Sequence, residues 1–333
     1  PDRSVSRSGA PPRSQAAARD NMDRMAFIFP GQGSQSVGMA RDLYDSSHKV
    51  REIYERASEA IAVDLASISF EGPEEELTKT INTQPALLTA SAAALSLLEE
   101  RSIVPYAVAG HSLGEYTAFL ASGAMDFKTC LSLVNKRASY MSEQGTCGSE
   151  AGLMAIMSRN GGLDPKLIRS LCRDHGVHIS VNNSKRQIVV GGLKKHLMEM
   201  SRKLKKGVTA AMLKVEGPFH SPLMKRAASK FRKDLKRSPM RIAASPVVAK
   251  VSKEAIVDPD HITDELYEQI FRVVDWRGSM EKIIGNGGQR FIEVGPKRVL
   301  TRMFRDIDPS VQSFNVEDRE SLDRTVKALA ANN

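Results

Sequence analysis

Cysteine, aromatic residues and long apolar runs are all scarce in this chain of 333 residues. The three cysteines, Cys130, Cys147 and Cys172, fit neither a disulfide framework nor a CxxC metal site. They indicate a reducing, cytoplasmic setting without a metal site. No stretch approaches the roughly 18 unbroken apolar residues that a membrane-spanning helix needs. Apolar residues still make up 41% of the chain, which is enough for a sizeable core.

Charge, in contrast, is plentiful and unbalanced. Lysine and arginine number 48 against 39 acidic residues, which gives a formal net charge of +9. Such a charge favours acidic partners. Nucleic acid is not the expected partner, because no helix-turn-helix, zinc-finger or RNP-like pattern occurs in the sequence.

Three segments of the chain differ in character. Residues 1–24 lack apolar periodicity and are rich in Ser, Arg, Pro and Ala, which predicts a disordered segment: an expression remnant, a misplaced start or the end of a transit peptide. Residues 25–146 and 217–320 read as one α/β core, because an apolar run, a glycine loop and a helix from about Val37 open it. Further helices are predicted from Pro85 to Glu100, with proline in the first turn, and after Asp126, which can cap its helix. Residues 147–216 contain two strand-like runs, at 152–157 and 187–190, each near a helix, and read as a small α+β insert.

The strongest chemical signal is Gly110-His111-Ser112-Leu113-Gly114, a GxSxG pentapeptide. It follows an apolar strand at 107–110 and precedes a helix, which is the context of a nucleophile elbow. At such a turn the serine hydroxyl projects over the helix N-terminus, and the N–H of Leu113 points at the oxyanion that forms on attack. The alternative is a chance match in a glycine-rich loop.

A nucleophilic serine needs a base, and His220 is the candidate among seven histidines. It lies in a rigid, nearly uncharged Gly-Pro-Phe-His-Ser-Pro loop where the two domains rejoin. His111 neighbours the serine, but its side chain should point away at the elbow. The alternative for His220 is a loop histidine that only bonds the backbone.

Arg137 falls within the apolar stripe of the helix predicted after Asp126, whereas Lys136 lies on its polar face. The stripe consists of Cys130, Leu133, Val134, Ala138 and Met141. A guanidinium facing a core costs several kcal/mol unless an anion meets it. Three explanations stay open: an internal salt bridge, a side chain that snorkels to solvent, or a carboxylate-bearing substrate held by two parallel hydrogen bonds.

Five motifs, in this order and spacing, resemble the malonyl-CoA:acyl carrier protein transacylases over residues 25–305. They are Phe29-Pro30-Gly31-Gln32-Gly33-Ser34-Gln35, Thr83-Gln84-Pro85-Ala86-Leu87, Gly110-His111-Ser112-Leu113-Gly114-Glu115-Tyr116, Phe219-His220-Ser221 and Glu293-Val294-Gly295-Pro296. Five matches in order are far more specific than any one of them.

The resemblance implies a role for each residue of the site. Ser112 is the nucleophile and His220 its base. The N–H groups of Gln32 and Leu113 form the oxyanion hole. Arg137 matches the arginine that binds the free carboxylate of the malonyl group.

Two further roles are implied, and two departures are evident. Gln269, ahead of Trp276, fits the residue that orients the histidine through its backbone carbonyl. Phe219 resembles the malonyl-selective form, which leaves little room for an α-methyl branch. Lys185-Arg186 stands where the family often has Pro-Gly, and Lys297-Arg298 where it commonly has Gly-Lys. Both changes add positive charge, so details of carrier docking are expected to differ.

The fold implied is an α/β-hydrolase-like core with an inserted ferredoxin-like subdomain and the active site between them. The implied reaction passes a malonyl group from malonyl-CoA through a serine ester to an acidic acyl carrier protein. Coenzyme A is then a leaving group, and no cofactor is needed. We expect a bacterial-type cytoplasmic monomer, or an organellar one if residues 1–24 belong to a transit peptide.

Three other functions remain open for these motifs. A serine thioesterase would use the same serine and histidine, and an idle carrier-binding module would use neither. A loader of a polyketide synthase would look like a loader of fatty-acid synthesis.

Overall fold

The computed structural model describes residues 24–147 and 150–331, without the side chains of Thr146 and Cys147. The expectation of disorder for 1–24 therefore lies, apart from Arg24, outside the described residues. The thiol of Cys147 lies outside them as well. Cys130 and Cys172 are buried free thiols.

The described chain is a mixed α/β protein, as the sequence predicts. Its strands are β1 (Met25–Phe29), β2 (Ala107–Gly110), β3 (Ala151–Ser158), β4 (His178–Asn182), β5 (Gln187–Leu193), β6 (Val208–Met212), β7 (Val247–Val248), β8 (Ala255–Ile256), β9 (Arg290–Val294) and β10 (Gln312–Val316). Its helices are α1 (Arg41–Ser46), α2 (His48–Ile61), α3 (Leu65–Phe70), α4 (Glu74–Thr78), α5 (Thr80–Glu99), α6 (Gly114–Ala121), α7 (Phe127–Cys147), α8 (Pro165–His175), α9 (Lys194–Ser201), α10 (Lys225–Arg237), α11 (Pro259–Gln269), α12 (Trp276–Gly285), α13 (Val299–Ile307) and α14 (Arg319–Ala330). A short 3₁₀ turn at Pro222–Met224 precedes α10.

The larger sheet has the strand order β10-β9-β1-β2-β7-β8. Its strands are parallel from β10 to β7, and only β8 runs against its neighbour. The apolar runs of β1 and β2 are buried on both faces, as parallel strands usually are. Phe29 pairs with Gly110, so β1 and β2 end side by side. The loops that follow them, the glycine loop and the GxSxG turn, therefore meet at one sheet edge.

The smaller sheet is antiparallel, with the order β4-β5-β3-β6. Helices α8 and α9 cover one face through an apolar cluster that includes Met154, Ile156 and Val190. The other face, with Leu153 and Val189, belongs to the main core. The strands that the sequence predicts at 152–157 and 187–190 are β3 and β5. Strands β4 and β6 were not predicted.

Helix α5 differs from its prediction, which begins at Pro85. In the structure it begins at Thr80, whose N–H donates to the Glu216 carboxylate at 3.2 Å. Proline then lies inside the helix and removes the hydrogen bond to the carbonyl of Ile81, a residue that is 45% exposed. Among helices in the described ranges, none has the length and apolar character to cross a membrane.

Candidate active site

The turn between β2 and α6 is an elbow that only small residues allow. Ser112 has φ +52°, in the left-handed region. A β carbon at Gly110 would lie 1.9 Å from the Gly114 carbonyl carbon, and one at Gly114 would lie 2.1 Å from the Phe29 carbonyl oxygen. Strand, turn and helix therefore pack backbone against backbone, and the serine projects at the N-terminal end of α6.

Ser112 and His220 form a hydrogen-bonded pair across 108 residues of sequence, with 2.6 Å between Oγ and Nε2. The Nδ1–H of His220 donates to the Gln269 carbonyl oxygen at 2.6 Å. Because that bond fixes the proton on Nδ1, the Nε2 lone pair faces the serine hydroxyl. Burial, with the Arg137 charge as a second cause, lowers the pKa of His220 to about 3. The imidazole is therefore neutral near pH 7 and able to accept a proton.

The glycine loop after β1 lies directly against the elbow. A β carbon at Gly31 would lie 2.3 Å from the His111 carbonyl oxygen. Within the part of the chain that the structure describes, the main-chain N–H groups of Gln32 and Leu113 have no acceptor. Two free N–H groups beside a serine are the donors that an oxyanion hole requires.

Arg137 is wholly buried, with an exposure of 0%. Its guanidinium donates to the Gln84 side-chain oxygen at 2.7 Å, the Gln269 side-chain oxygen at 2.9 Å and Ser112 Oγ at 3.1 Å. All three acceptors are neutral, and Nε has no partner. No ion pair to Arg137 occurs within residues 24–147 and 150–331.

This environment bears on the explanations of Arg137 left open by the sequence. Complete burial rules out snorkelling, and the absence of an ion pair among the described residues rules out the internal salt bridge. Burial lowers the pKa of the guanidinium, although Tyr116 and Glu115 act in the opposite direction. A buried cation in neutral surroundings is stabilised when an anion binds beside it.

Gln269 contributes more than the backbone carbonyl that the sequence predicts for it. Its side-chain Nε2 donates to the Ser112 carbonyl oxygen at 2.9 Å and to the Glu115 carboxylate. Its Oε1 accepts from Arg137. The sequence assigned no role to Gln84 or Glu115, although both stand in the quoted motifs.

A lysine and a second glutamate complete a buried polar cluster that the sequence analysis missed. Lys250 Nζ lies 3.9 Å from Glu115 Oε1, and both side chains are wholly buried. Glu265 accepts from the N–H groups of Lys250, Val251 and Ser252 at 2.8, 2.6 and 3.2 Å. Two sequence features could have indicated this cluster. Lys250 lies inside the apolar run 246–251, and Glu265 lies on the apolar stripe of α11.

Two motif residues serve the scaffold. His111 turns away from Ser112, and its Nε2 lies 2.9 Å from Asn183 Oδ1, which joins the elbow to the smaller sheet. The buried Glu293 accepts from the N–H groups of Leu300 and Thr301 at 3.0 and 2.8 Å, so it caps α13. Burial raises the pKa of Glu293 to about 7.

Phe219 lies in the core next to the catalytic loop. Its ring packs beside Gly217, and only 4% of the residue is exposed. The residue before His220 is therefore a bulky side chain packed in the core. Its effect on substrate choice stays a prediction.

Known proteins with similar sequences belong to the family that the sequence motifs resemble. The sequence model of the acyl transferase domain family matches residues 26–324. A malonyl CoA-acyl carrier protein transacylase from Bacillus subtilis (strain 168) is 37% identical over 320 residues, which cover 94% of this chain and 99% of the relative.

Solved structures agree with the sequence comparison. A malonyl CoA-acyl carrier protein transacylase from Clostridium perfringens has a TM-score of 0.87 at 32% identity, over 92% of this chain and 98% of that one. A malonyl-transacylase in complex with its type II PKS acyl-carrier protein has a TM-score of 0.86 at 33% identity, over 92% of this chain and 100% of that one. The chain therefore belongs to the malonyl CoA-acyl carrier protein transacylases, within the acyl transferase domain family.

Proposed function

We propose that this protein transfers the malonyl group of malonyl-CoA to the phosphopantetheine thiol of an acyl carrier protein. The observation that carries the proposal is Arg137, a buried cation with neutral partners 3.1 Å from Ser112 Oγ. A malonyl carboxylate supplies the missing anion, and the planar guanidinium can hold it by two parallel hydrogen bonds. A plain fatty acyl group would leave the arginine unpaired.

The reaction proceeds in two half-reactions through one serine ester. Ser112 Oγ attacks the thioester carbonyl while its proton passes to His220 Nε2, and the N–H groups of Gln32 and Leu113 stabilise the oxyanion. The tetrahedral intermediate expels coenzyme A, whose sulfur takes the proton from His220. The carrier thiol then attacks the malonyl ester and restores the serine by the same steps in reverse. The donor and the product are both thioesters, and the proposal requires no cofactor.

The proposed fold follows the same assignment. We place Ser112 on an α/β-hydrolase-like core of residues 25–146 and 217–320, and a ferredoxin-like subdomain at 147–216. The order strand-helix-strand-strand-helix-strand and the sheet order β4-β5-β3-β6 support the second part. The elbow between β2 and α6 supports the first.

The proposed partner is an acidic carrier protein. We propose that this protein binds it as a monomer in the cytoplasm. The net charge of +9 suits an acidic partner, and a structural neighbour was solved with its own acyl-carrier protein. The free thiols Cys130 and Cys172 fit a reducing compartment.

The test compares malonyl-CoA, methylmalonyl-CoA and acetyl-CoA as donors for a carrier protein, with the wild type and Arg137→Ala. Malonyl transfer by Arg137→Ala should fall about 100-fold or more, since two hydrogen bonds to a charged group are lost. Acetyl transfer should fall much less. The bulk of Phe219 predicts that the wild type uses methylmalonyl-CoA less well than malonyl-CoA.

Lys136→Ala is the matched control on the same helix, because Lys136 is half-exposed and pairs with Asp234 on the surface. It should leave both transfers near the wild-type rate. Equal losses of malonyl and acetyl transfer in Arg137→Ala would contradict the proposal and make the arginine structural.

A further inference from the structure

The buried pair of Glu115 and Lys250 has no part in the reaction as described above. Both side chains have 0% exposure, and 3.9 Å separates the ammonium from Glu115 Oε1. Lys250 Nζ also donates to the Val248 carbonyl and lies 5.7 Å from the centre of the Trp276 ring. Buried ion pairs seldom stabilise a fold better than apolar residues of the same volume, so this pair calls for another explanation.

The other oxygen of Glu115 touches the site through Gln269. The amide of Gln269 has two possible orientations, and its partners allow only one. The Ser112 carbonyl and the Glu115 carboxylate can only accept, and the Arg137 guanidinium can only donate. A flipped amide would place N–H against N–H at Arg137 and oxygen against oxygen at the other two contacts.

Lys250 favours the form of Glu115 that this arrangement needs. Burial, with Glu265 as a second cause, raises the pKa of Glu115, and the Lys250 ammonium opposes that rise. A carboxyl that took up a proton would present a donor to a neighbouring N–H group. The ammonium therefore favours a carboxylate that accepts from Gln269.

We propose that Glu115, paired with Lys250, is a positioning residue that fixes the orientation of the Gln269 amide and thereby holds Arg137 for a substrate carboxylate. The Arg137 guanidinium is then held towards Ser112 by its hydrogen bonds to two side-chain oxygens, those of Gln84 and Gln269. The inference rests on the proposed function, since it assigns the pair to malonyl binding rather than to the serine chemistry.

The experiment compares two double variants without buried charge at these positions. In Glu115→Gln/Lys250→Met, residue 115 still offers an oxygen to Gln269. In Glu115→Leu/Lys250→Met it offers none. The ratio of kcat/KM for malonyl-CoA to that for acetyl-CoA should stay within about threefold of wild type in the first, since the acceptor is kept. It should fall about tenfold in the second, mainly through KM for malonyl-CoA, as expected for one lost hydrogen bond in a charged network.

Glu265→Gln is the control for a buried carboxylate that bonds backbone N–H groups without touching Gln269. It should lower the melting temperature and leave the ratio unchanged. If the leucine variant does not fold, Gln269→Leu replaces it, because that change removes the amide and keeps the carbonyl that His220 uses. The same ratio in the glutamine and leucine variants, or in Gln269→Leu and wild type, would overturn the inference. A wild type without malonyl transfer would instead overturn the proposed function.

Discussion

Arg137 and His220 lie close enough for the charge of Arg137 to influence the protonation of His220. Both side chains are buried, and both contact Ser112 Oγ, at 3.1 and 2.6 Å. Burial, with the guanidinium charge as a second cause, keeps His220 neutral in the free enzyme. Under the proposed function, a carboxylate bound to Arg137 should cancel part of that charge. Substrate binding should then make His220 a stronger base when it must take the serine proton.

The pH dependence of acetyl transfer tests this coupling, because the acetyl group carries no titrating carboxylate. The pKa of His220 is lowered from 6.5 to about 3, so the base form persists as the pH falls well below 6.5. We expect kcat/KM for acetyl-CoA to show no acid limb between about pH 5 and pH 8. In Arg137→Ala the limb should move to higher pH, since the second cause of the lowered pKa is gone. A wild-type limb centred at the ordinary histidine pKa would contradict the assignment.

At the residue scale, some residues of the candidate site carry a local sequence signal, and the contacts that hold them in place carry none. Ser112 stands in a motif, and Arg137 interrupts an apolar stripe, so both give a local signal. The side-chain bonds of Gln269 to Arg137 and Glu115 span 132 and 154 residues. Neither motif nor periodicity reports on such distances, because both describe residues within one element.

The elbow is the element on which the site depends most. Its two glycines lie where β2, α6 and the end of β1 touch through their backbones. Since a backbone cannot give way as a flexible side chain can, any β carbon there must push α6 away from β2.

Gly110→Ala should therefore lower the free energy of unfolding by about 3 kcal/mol and abolish transfer in the folded fraction. Denaturant unfolding followed by circular dichroism measures the first, and a transfer assay the second. Gly285→Ala at the end of α12 is the control, since a β carbon there meets nothing within 4 Å. It should leave stability unchanged or raise it by up to about 1 kcal/mol. Equal stability of the two variants would show that the elbow tolerates side chains.

At the element scale, prediction failed where the local pattern is weak or a distant contact decides. Strand β6 is a half-exposed edge strand, so its residues show no clear alternation. Helix α1 was predicted from about Val37, but it begins at Arg41 because Gly38 and Ala40 adopt positive φ angles. Helix α5 begins early because Glu216 bonds its first N–H from 136 residues away. By contrast, Asp126 accepts from Thr129 N at 2.7 Å, as predicted for the cap of α7.

At the scale of the whole molecule, the proposal joins an enzyme of net charge +9 to an acidic carrier protein. Long-range attraction of this kind speeds encounter and is screened by salt. The sequence composition already contained this feature, because net charge does not depend on the fold. The docking surface could not be predicted, because it depends on which lysines and arginines the fold brings together.

Salt should therefore weaken the second half-reaction selectively. Between about 0.05 and 0.5 M sodium chloride, KM for the carrier protein should rise at least about tenfold. KM for free pantetheine, a neutral thiol acceptor, should change little over the same range. A carrier KM that is independent of salt would mean that the basic surface does not guide docking.

The central claim is that Ser112 carries the malonyl group, and intact-protein mass spectrometry tests it directly. After mixing with malonyl-CoA alone, wild type should gain the mass of one malonyl group, and Ser112→Ala should gain none. Added carrier protein should remove the adduct within a turnover, while water alone should leave it in place. Label on Ser112→Ala, or rapid loss of the wild-type adduct to water, would contradict the account.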